Sequence, residues 1–218
     1  MRAEADPPAF VAANTLVESP RLVPELRLHL ASELLPIWQA SEAWLEESGL
    51  PPPFWAFAWA GGQALARYLL DTPGLVAGKR VLDFAAGCGL QGFAARLAGA
   101  AAVEASEIDP FACAALALNA RLNGLEVAVR REDLIGRDEG WPVVLAGDVC
   151  YERPLAERIV AWLRALSGRG ALVLLGDPAR TYMPKTGLEK LARYAVPTTR
   201  EIEDSDLRNA CVWRVLPA

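Results

Sequence analysis

Two carboxylates frame a glycine turn in "VLDFAAGCGLQGFAARLAGAAAVEASEID", residues 81–109. Gly87-Cys88-Gly89-Leu90-Gln91-Gly92 has the spacing G-x-G-x-x-G, which lets backbone pass close to a ligand at a helix N-terminus. Asp83 lies four residues ahead of Gly87, and Glu107 lies 20 residues after it. Glu107 falls where a second strand should end, placed to accept two ribose hydroxyls. On these grounds a nicotinamide dinucleotide and S-adenosylmethionine (AdoMet) fit equally, because both carry an adenosine. Asp83 separates them. At the mouth of the first strand a carboxylate repels a pyrophosphate, but it suits a ligand bearing an ammonium and a sulfonium. The plain alternative is a glycine turn with no ligand, and the acidic residues at both strand ends count against it.

Two more acidic strand ends follow, Gly147-Asp148-Val149-Cys150-Tyr151 and Gly176-Asp177-Pro178-Ala179-Arg180. Asp148 either acts on a substrate or caps the helix that should begin near Glu152. Cys150 has no histidine near it in sequence, so core packing is its better reading than nucleophilic attack. His29 is the single histidine of the chain, which excludes a histidine-based triad. Cys88, Cys113, Cys150 and Cys211 include no C-x-x-C pair. They read as reduced thiols in a cytoplasmic setting, with no metal site.

These residues need a scaffold, and the pattern supplies one. Apolar runs "RVLDFAA", "AVEASEI", "VAVRRED", "VVLAGDV" and "ALVLLGD" alternate with helical stretches "LQGFAARLAG", "DPFACAALALNARLNG" and "ERPLAERIVAWLRALSG". Such alternation predicts an α/β fold with a doubly wound, mostly parallel sheet. "YAVPTTREI" and "ACVWRVLP" break the rhythm and predict a closing β-hairpin at one sheet edge. Ahead of the sheet, "GGQALARYLLDT" reads as a helix, and "GLPPPFWAFAWAGG" as an aromatic loop punctuated by Pro and Gly. Residues 19–48 read as helical, interrupted by Pro24 and Pro36, and the first 15 or so as loosely ordered. The division expected is an N-terminal helical extension with the aromatic loop, 1–60, and one globular unit, 61–218. With 218 residues, 53% of them hydrophobic, the chain can bury a large core. Its net charge of -5 argues against nucleic acid and is compatible with a basic partner such as a lysine-bearing protein surface. The opening residues contain no apolar signal-like segment, and no apolar run is long enough to span a membrane.

The spacing Asp83-x-Ala85-x-Gly87-x-Gly89 resembles motif I of class I methyltransferases. Ala85 departs from that motif's usual first glycine, which calls for a negative φ there or some strain. "PFWAFAWAGGQALARYLLDTP", "VLDFAAGCGLQGFAA", "EIDPFACAALALNARLNG", "LAGDVCYER" and "LLGDPAR" resemble consecutive blocks of the seven-β-strand lysine methyltransferases. Within that group they are most similar to the electron transfer flavoprotein β-subunit lysine methyltransferases, over roughly residues 15–217. The resemblance implies a sheet ordered 3-2-1-4-5-7-6 with its seventh strand antiparallel. It implies AdoMet as cofactor, a protein lysine as acceptor and the flavoprotein β subunit as substrate. Without a mitochondrial presequence in the residues given, it points to a bacterial member. By the same resemblance, Asp83, Gly87 and Gly89 hold the methionine end and Glu107 the ribose. Asp133, Leu134 and Ile135 bind the adenine, with Gly147 beside the cofactor. Trp59 matches a tryptophan that lines the cofactor pocket, though Trp59 also fits a core anchor under the Pro-rich loop. Trp141 reads as core. Asp148 falls where methyl and nucleophile meet, and Tyr151 shares the amine with it. Arg180 contacts the substrate protein or pairs with Asp177.

The chemistry sets the demands on those residues. A lysine with its ordinary pKa of ~10.4 is neutral in only roughly one molecule in a thousand at neutral pH. The site must favour the neutral amine and hold its lone pair about 3–3.5 Å from the methyl. Asp148 stabilises charge moving onto nitrogen, yet it also favours the unreactive ammonium, so it is read as a positioner. The rival readings are an NAD(P)-dependent oxidoreductase, a methyltransferase acting on another protein or a small molecule, and a non-catalytic AdoMet-binding module. The first leaves Asp83 and the Asp148 block without a role.

Overall fold

A computed structural model describes residues 6–31, 52–198 and 206–218. Its main sheet holds β3 (Arg80–Phe84), β4 (Ala102–Glu107), β5 (Ala128–Arg131), β6 (Val143–Gly147), β7 (Leu172–Asp177), β8 (Leu188–Pro197) and β9 (Leu207–Val215). The order is β5-β4-β3-β6-β7-β9-β8, with β3 through β7 parallel and β9 antiparallel to both neighbours. Counted within the sheet, that is the order 3-2-1-4-5-7-6. The order reverses between β3 and β6, so the carboxyl ends of these strands flank the crevice where such sheets hold ligands.

Burial explains the strand sequences. Val81, Val143, Leu145 and Leu174 enter one core layer with Leu65 and Leu69. Leu82, Phe84, Val144 and Leu175 enter the other with Trp141, Trp162 and Leu163. A strand covered on both faces reads as a continuous apolar run. The helices are α1 (Pro7–Ala13), α2 (Ala60–Asp71), α3 (Leu90–Leu97), α4 (Pro110–Asn123) and α5 (Arg153–Gly168). The start of α4 is encoded locally. Asp109 Oδ1 accepts from the Phe111 amide at 2.7 Å, and Pro110 occupies the first turn, where no amide hydrogen is needed.

The N-terminal region differs from its reading as a helix. Residues 19–31 are not helical: β1 (Leu16–Glu18) pairs antiparallel with β2 (Leu28–Leu30). Leu26, Leu28 and Leu30 are buried, while Arg27 is exposed and His29 half-buried. That period of two is a strand's, and Pro24, read as an interruption of a helix, lies in the turn region that separates the two strands. The remainder of that expected helix, 32–48, lies outside the described residues. Within the segment expected to be loose, α1 buries Val11 and stacks Phe10 on Phe111 with ring centroids 4.9 Å apart. Val23, Leu26 and Leu28 share a core with Phe93 and Leu116, so the N-terminal segments pack directly on the sheet-bearing unit. His29 contributes to this packing. Its ring meets Thr15 Oγ1 at 3.0 Å, and its amide donates to Asn119 Oδ1 at 2.7 Å.

Candidate functional site

The carboxyl ends of β3, β4 and β6 open on a cavity of about 480 Å³, within the range of small-molecule sites. Nine residues expected at the site lie on its wall: Trp59, Gly87, Glu107, Asp133, Ile135, Gly147, Asp148, Tyr151 and Arg180. Four do not, and each has a structural reason.

Asp83 is fully buried beneath the turn, not exposed on the wall. Its Oδ2 accepts from the Gly92 amide at 2.8 Å, an otherwise orphaned donor in the first turn of α3. Burial raises its pKa to about 8; the Gly92 amide opposes that rise, and the charge of Glu107 adds to it. Gly89 is the N-cap of α3, at φ 87°. A Cβ there would sit 2.6 Å from Leu116, so this glycine is needed for packing and backbone conformation. Leu134 is fully buried in the core beside Trp141 and Ile159, and Ile135 faces the cavity in its place. Asp133 Oδ1 accepts from the Ile135 amide at 2.9 Å, and this tight turn presents Ile135. Asp177 lies behind the wall, where its Oδ1 accepts from the Arg180 amide at 2.7 Å.

Ala85 adopts φ 51°, so strain, not a negative φ, is the outcome at the position of the usual glycine. Asp148 at φ 58° and Ala179 at φ 67° share that left-handed conformation. These three follow β3, β6 and β7, so the strained backbone gathers at the carboxyl ends that shape the site. An L-residue in this region costs about 1–2 kcal/mol, offset by about 0.5–1 kcal/mol of extra unfolded-state entropy if glycine replaces it. Ala85→Gly is therefore expected to stabilise the protein by about 0.5–1 kcal/mol, a rise of about 1–4 °C in melting temperature. A lower melting temperature would show that the Ala85 methyl contributes more packing than the strain costs.

The far end of the cavity is built around Asp148, which is buried. Its Oδ2 accepts from the Gly62 amide at 2.8 Å, in the first turn of α2. Asp148 is thus a helix cap, but for α2; α5 has Glu152 at its N-cap position with no side-chain cap bond. Gly61 permits the approach, since a Cβ on it would lie 2.6 Å from Asp148 Oδ2. Asp148 Oδ1 accepts from Arg180 Nη2 at 2.7 Å and Nε at 3.1 Å. The Arg180 guanidinium also lies over the Trp59 ring, 5.3 Å from its centroid. Among the described residues its guanidinium bonds Asp148, while the Asp177 suggested by sequence proximity receives its backbone amide. Trp59 Nε1 donates to the Phe54 carbonyl at 2.8 Å, and Phe54 packs on Tyr151 at 5.6 Å. Phe54 and Tyr151 are both about half exposed, giving the cavity an aromatic mouth. Burial raises the Tyr151 pKa, and the charges of Glu152 and Glu107 add to it. Cys150 is buried and its thiol is pushed up to about 12, first by burial and then by Asp177 and Asp148. It is no nucleophile at neutral pH.

At the other end, Glu107 terminates β4 and faces the cavity. Burial, then repulsion from Asp109, pushes its pKa up to about 7. Phe54, Ser106, Ile108 and Asp109 are among the wall residues that escaped the sequence reading. Asp109 carried a usable signal, the Asp-Pro helix start. Ser106 precedes the acidic strand end, and its buried Oγ has no hydrogen-bond partner. Glu132 is held by Arg130 at 3.2 Å and Arg137 at 2.7 Å, which steadies the loop after β5. Among the described residues, no group of three or more His, Cys, Asp or Glu is arranged to hold a metal ion, and no helix is long and apolar enough to cross a membrane.

Comparison with known proteins agrees with this architecture. Residues 64–149 match the family model described as "Ribosomal protein L11 methyltransferase (PrmA)". A protein of Danio rerio named "Electron transfer flavoprotein beta subunit lysine methyltransferase" is 38% identical, covering 97% of this chain and 84% of its own. The Homo sapiens protein of the same name is 35% identical, over 96% of this chain and 82% of its own. Among solved structures, magnesium protoporphyrin IX methyltransferase from Synechocystis PCC 6803 with bound SAM superposes with TM-score 0.53 at 18% identity, covering 71% of this chain and 77% of that one. A putative RNA methyltransferase from Pyrococcus horikoshii gives TM-score 0.53 at 15% identity, over 71% and 83%. At such identities the likeness is one of fold.

Proposed function

From a chain that belongs to the electron transfer flavoprotein β-subunit lysine methyltransferases, we propose an enzyme that methylates lysines of that flavoprotein subunit, with Asp148 and Tyr151 holding the acceptor amine. The family's chemistry is AdoMet-dependent methyl transfer, and the cavity fits that cofactor. Its volume is adequate, α3 aims its N-terminus at the glycine turn, and two buried polar atoms, Ser106 Oγ and Asp83 Oδ1, have no hydrogen-bond partner. When bound, AdoMet supplies a methyl on a sulfonium: the amine's electron pair forms the N–C bond as the C–S pair returns to sulfur, and the methylated ammonium then loses a proton. Glu107 accepts the ribose hydroxyls, Gly87 lets the methionine end approach, and Asp133 and Ile135 border the adenine. Gly147 and Trp59 enclose the reacting end. Asp83, its pKa raised to about 8 in the unliganded fold, acts beneath the turn once the cofactor's positive charge favours its ionised form, and Asp177 shapes the loop that carries Arg180.

The observation that carries the acceptor reading is the placement of Asp148 and Tyr151 on the same wall as Glu107, at a mouth flanked by exposed aromatic rings. Those rings suit the long aliphatic stem of a lysine delivered by a protein surface. The wall's carboxylates, Glu107, Asp109, Glu132, Asp133 and Asp148, favour a basic acceptor over a phosphate backbone. A reducing, cytoplasm-like setting belongs to this proposal, supported by four unpaired thiols. The relatives named above are animal proteins and lend no weight to a bacterial source.

One difficulty lies in the pairing itself. A lone carboxylate about 4 Å from the amine favours the ammonium by about 4 kcal/mol at an effective dielectric of 20. That is the wrong direction for a nucleophile. The test of the proposal is incubation of the purified flavoprotein β subunit with enzyme and AdoMet, read by intact-protein and peptide mass spectrometry. Methyl increments on lysine are expected. A subunit left unmodified, while other proteins in an extract gain methyl groups, would reject the acceptor and keep the chemistry.

A further inference from the structure

We propose that Arg180 keeps the acceptor lysine neutral, by holding a permanent positive charge against Asp148 where the amine must approach. This rests on the lysine-methyltransferase reading above and adds a role to the site that family membership does not assign. The geometry is that of a clamp. Arg180 spends two donors on Asp148 Oδ1, at 2.7 and 3.1 Å, while the Gly62 amide occupies Oδ2 at 2.8 Å. Trp59 covers the guanidinium face, and Asp177 fixes the Arg180 backbone amide. The side chain is 19% exposed, unlike an arginine free to reach out to a partner protein. Among the described residues on the cavity wall, it is the one lysine, arginine or histidine.

The consequence concerns proton equilibrium. Without Arg180, an entering lysine would meet more of the negative charge of Asp148 and be held as an unreactive ammonium. With Arg180 in place, Asp148 is already compensated, and a second cation beside the guanidinium is repelled. Opposite charges favour the charged form of an amine, and like charges disfavour it. Among the described residues, the other titratable groups near this point are Tyr151 on the mouth, and Cys150 and Asp177 behind it. Glu107 and Asp109 lie across the cavity, and Glu132 and Asp133 beyond them. All are neutral or acidic, so none replaces the guanidinium. Asp148 keeps its oxygens as hydrogen-bond acceptors for the amine, and Arg180 cancels the charge that would otherwise protonate it.

The test is the pH dependence of kcat for the flavoprotein β subunit, for wild type, Arg180→Ala and Arg180→Lys, at saturating AdoMet. Arg180→Ala is expected to lose tenfold or more in kcat near neutral pH. The wild-type rate should level off below the ordinary lysine pKa of ~10.4, while the Arg180→Ala rate keeps climbing past it, so the loss narrows as the pH rises. Arg180→Lys retains a cation and should keep the wild-type limb. AdoMet affinity within a few-fold of wild type shows that Arg180→Ala is folded. A loss equal at every pH would assign Arg180 a structural role and overturn the inference. So would a raised KM for the acceptor with an unmoved kcat profile, which marks a docking residue. A wild-type enzyme that never modifies the subunit is a different failure: it removes the acceptor reading, and this inference with it.

Discussion

Asp148→Asn is expected to slow lysine methylation by about 10²–10³-fold while AdoMet affinity stays within a few-fold. Asparagine is the informative substitution because of how Asp148 is held. Its Oδ2 caps α2 through the Gly62 amide, and its backbone sits at φ 58°. Asparagine preserves an oxygen for that amide and tolerates the left-handed conformation better than most residues. It removes the charge that offsets Arg180, which leaves a net positive charge where positive charge must grow on the attacking nitrogen. Asp148→Ala is less clean. It leaves the Gly62 amide and the Arg180 guanidinium without this acceptor in a buried place, at a cost of about 3–5 kcal/mol in folding stability. Lost activity in that variant would confound chemistry with unfolding. Tyr151→Phe should lose less than Asp148→Asn, because the ring remains packed against Phe54 and still lines the lysine stem. Melting temperature, cofactor affinity and methylation rate from one preparation decide the matter. A stable, AdoMet-binding Asp148→Asn enzyme with near-normal methylation would remove Asp148 from the reaction and leave it a cap.

The sheet was legible because its central strands, β3, β6 and β7, are buried on both faces and the helices between strands carry boundary signals. "VVLAGD" and "ALVLLGD" need no partner to be recognised as interior strands, and Asp109-Pro110 announces α4. The N-terminal segment was misread where three buried leucines, Leu26, Leu28 and Leu30, alternate over too short a span to outweigh the helix-like residues that follow. At the site, sequence placed residues at the correct strand ends but could not say which way a side chain turns. Leu134 and Ile135 are adjacent and equally apolar, and the Asp133 turn decides which one meets the cavity. Asp83 and Asp148 were read as charges facing a ligand. Each first satisfies a helix N-terminus, at Gly92 and at Gly62, because a buried amide without an acceptor is costly. The Arg180–Asp148 pair spans 32 residues and two strand ends, a contact that no local pattern encodes.

Glu107→Gln is expected to weaken AdoMet binding by about 1–3 kcal/mol, from loss of charge-assisted hydrogen bonds to the ribose hydroxyls. The pH dependence of the loss makes the test specific. In the unliganded fold, burial and Asp109 push the Glu107 pKa up to about 7 from 4.5. A carboxyl whose folded pKa is raised binds protons more tightly folded than unfolded. Its contribution therefore favours the folded state at low pH, and that advantage is lost as the pH climbs from about 4.5 through about 7. Cofactor binding runs the other way. The ionised carboxylate is the better acceptor for two hydroxyls, so wild-type affinity should rise through pH 7 and level off above it, with a proton released on binding near the midpoint. Asp83, raised to about 8, titrates in an adjoining window and would contribute its own release if the cofactor's positive charge favours its ionised form. Glu107→Gln separates the two: glutamine keeps the volume, and with it the rise centred near pH 7 should vanish while any step near pH 8 remains. Calorimetry in buffers of different ionisation enthalpy measures both affinity and proton release. A Glu107→Gln protein that binds AdoMet with wild-type affinity and wild-type pH dependence would place the ribose elsewhere in the cavity.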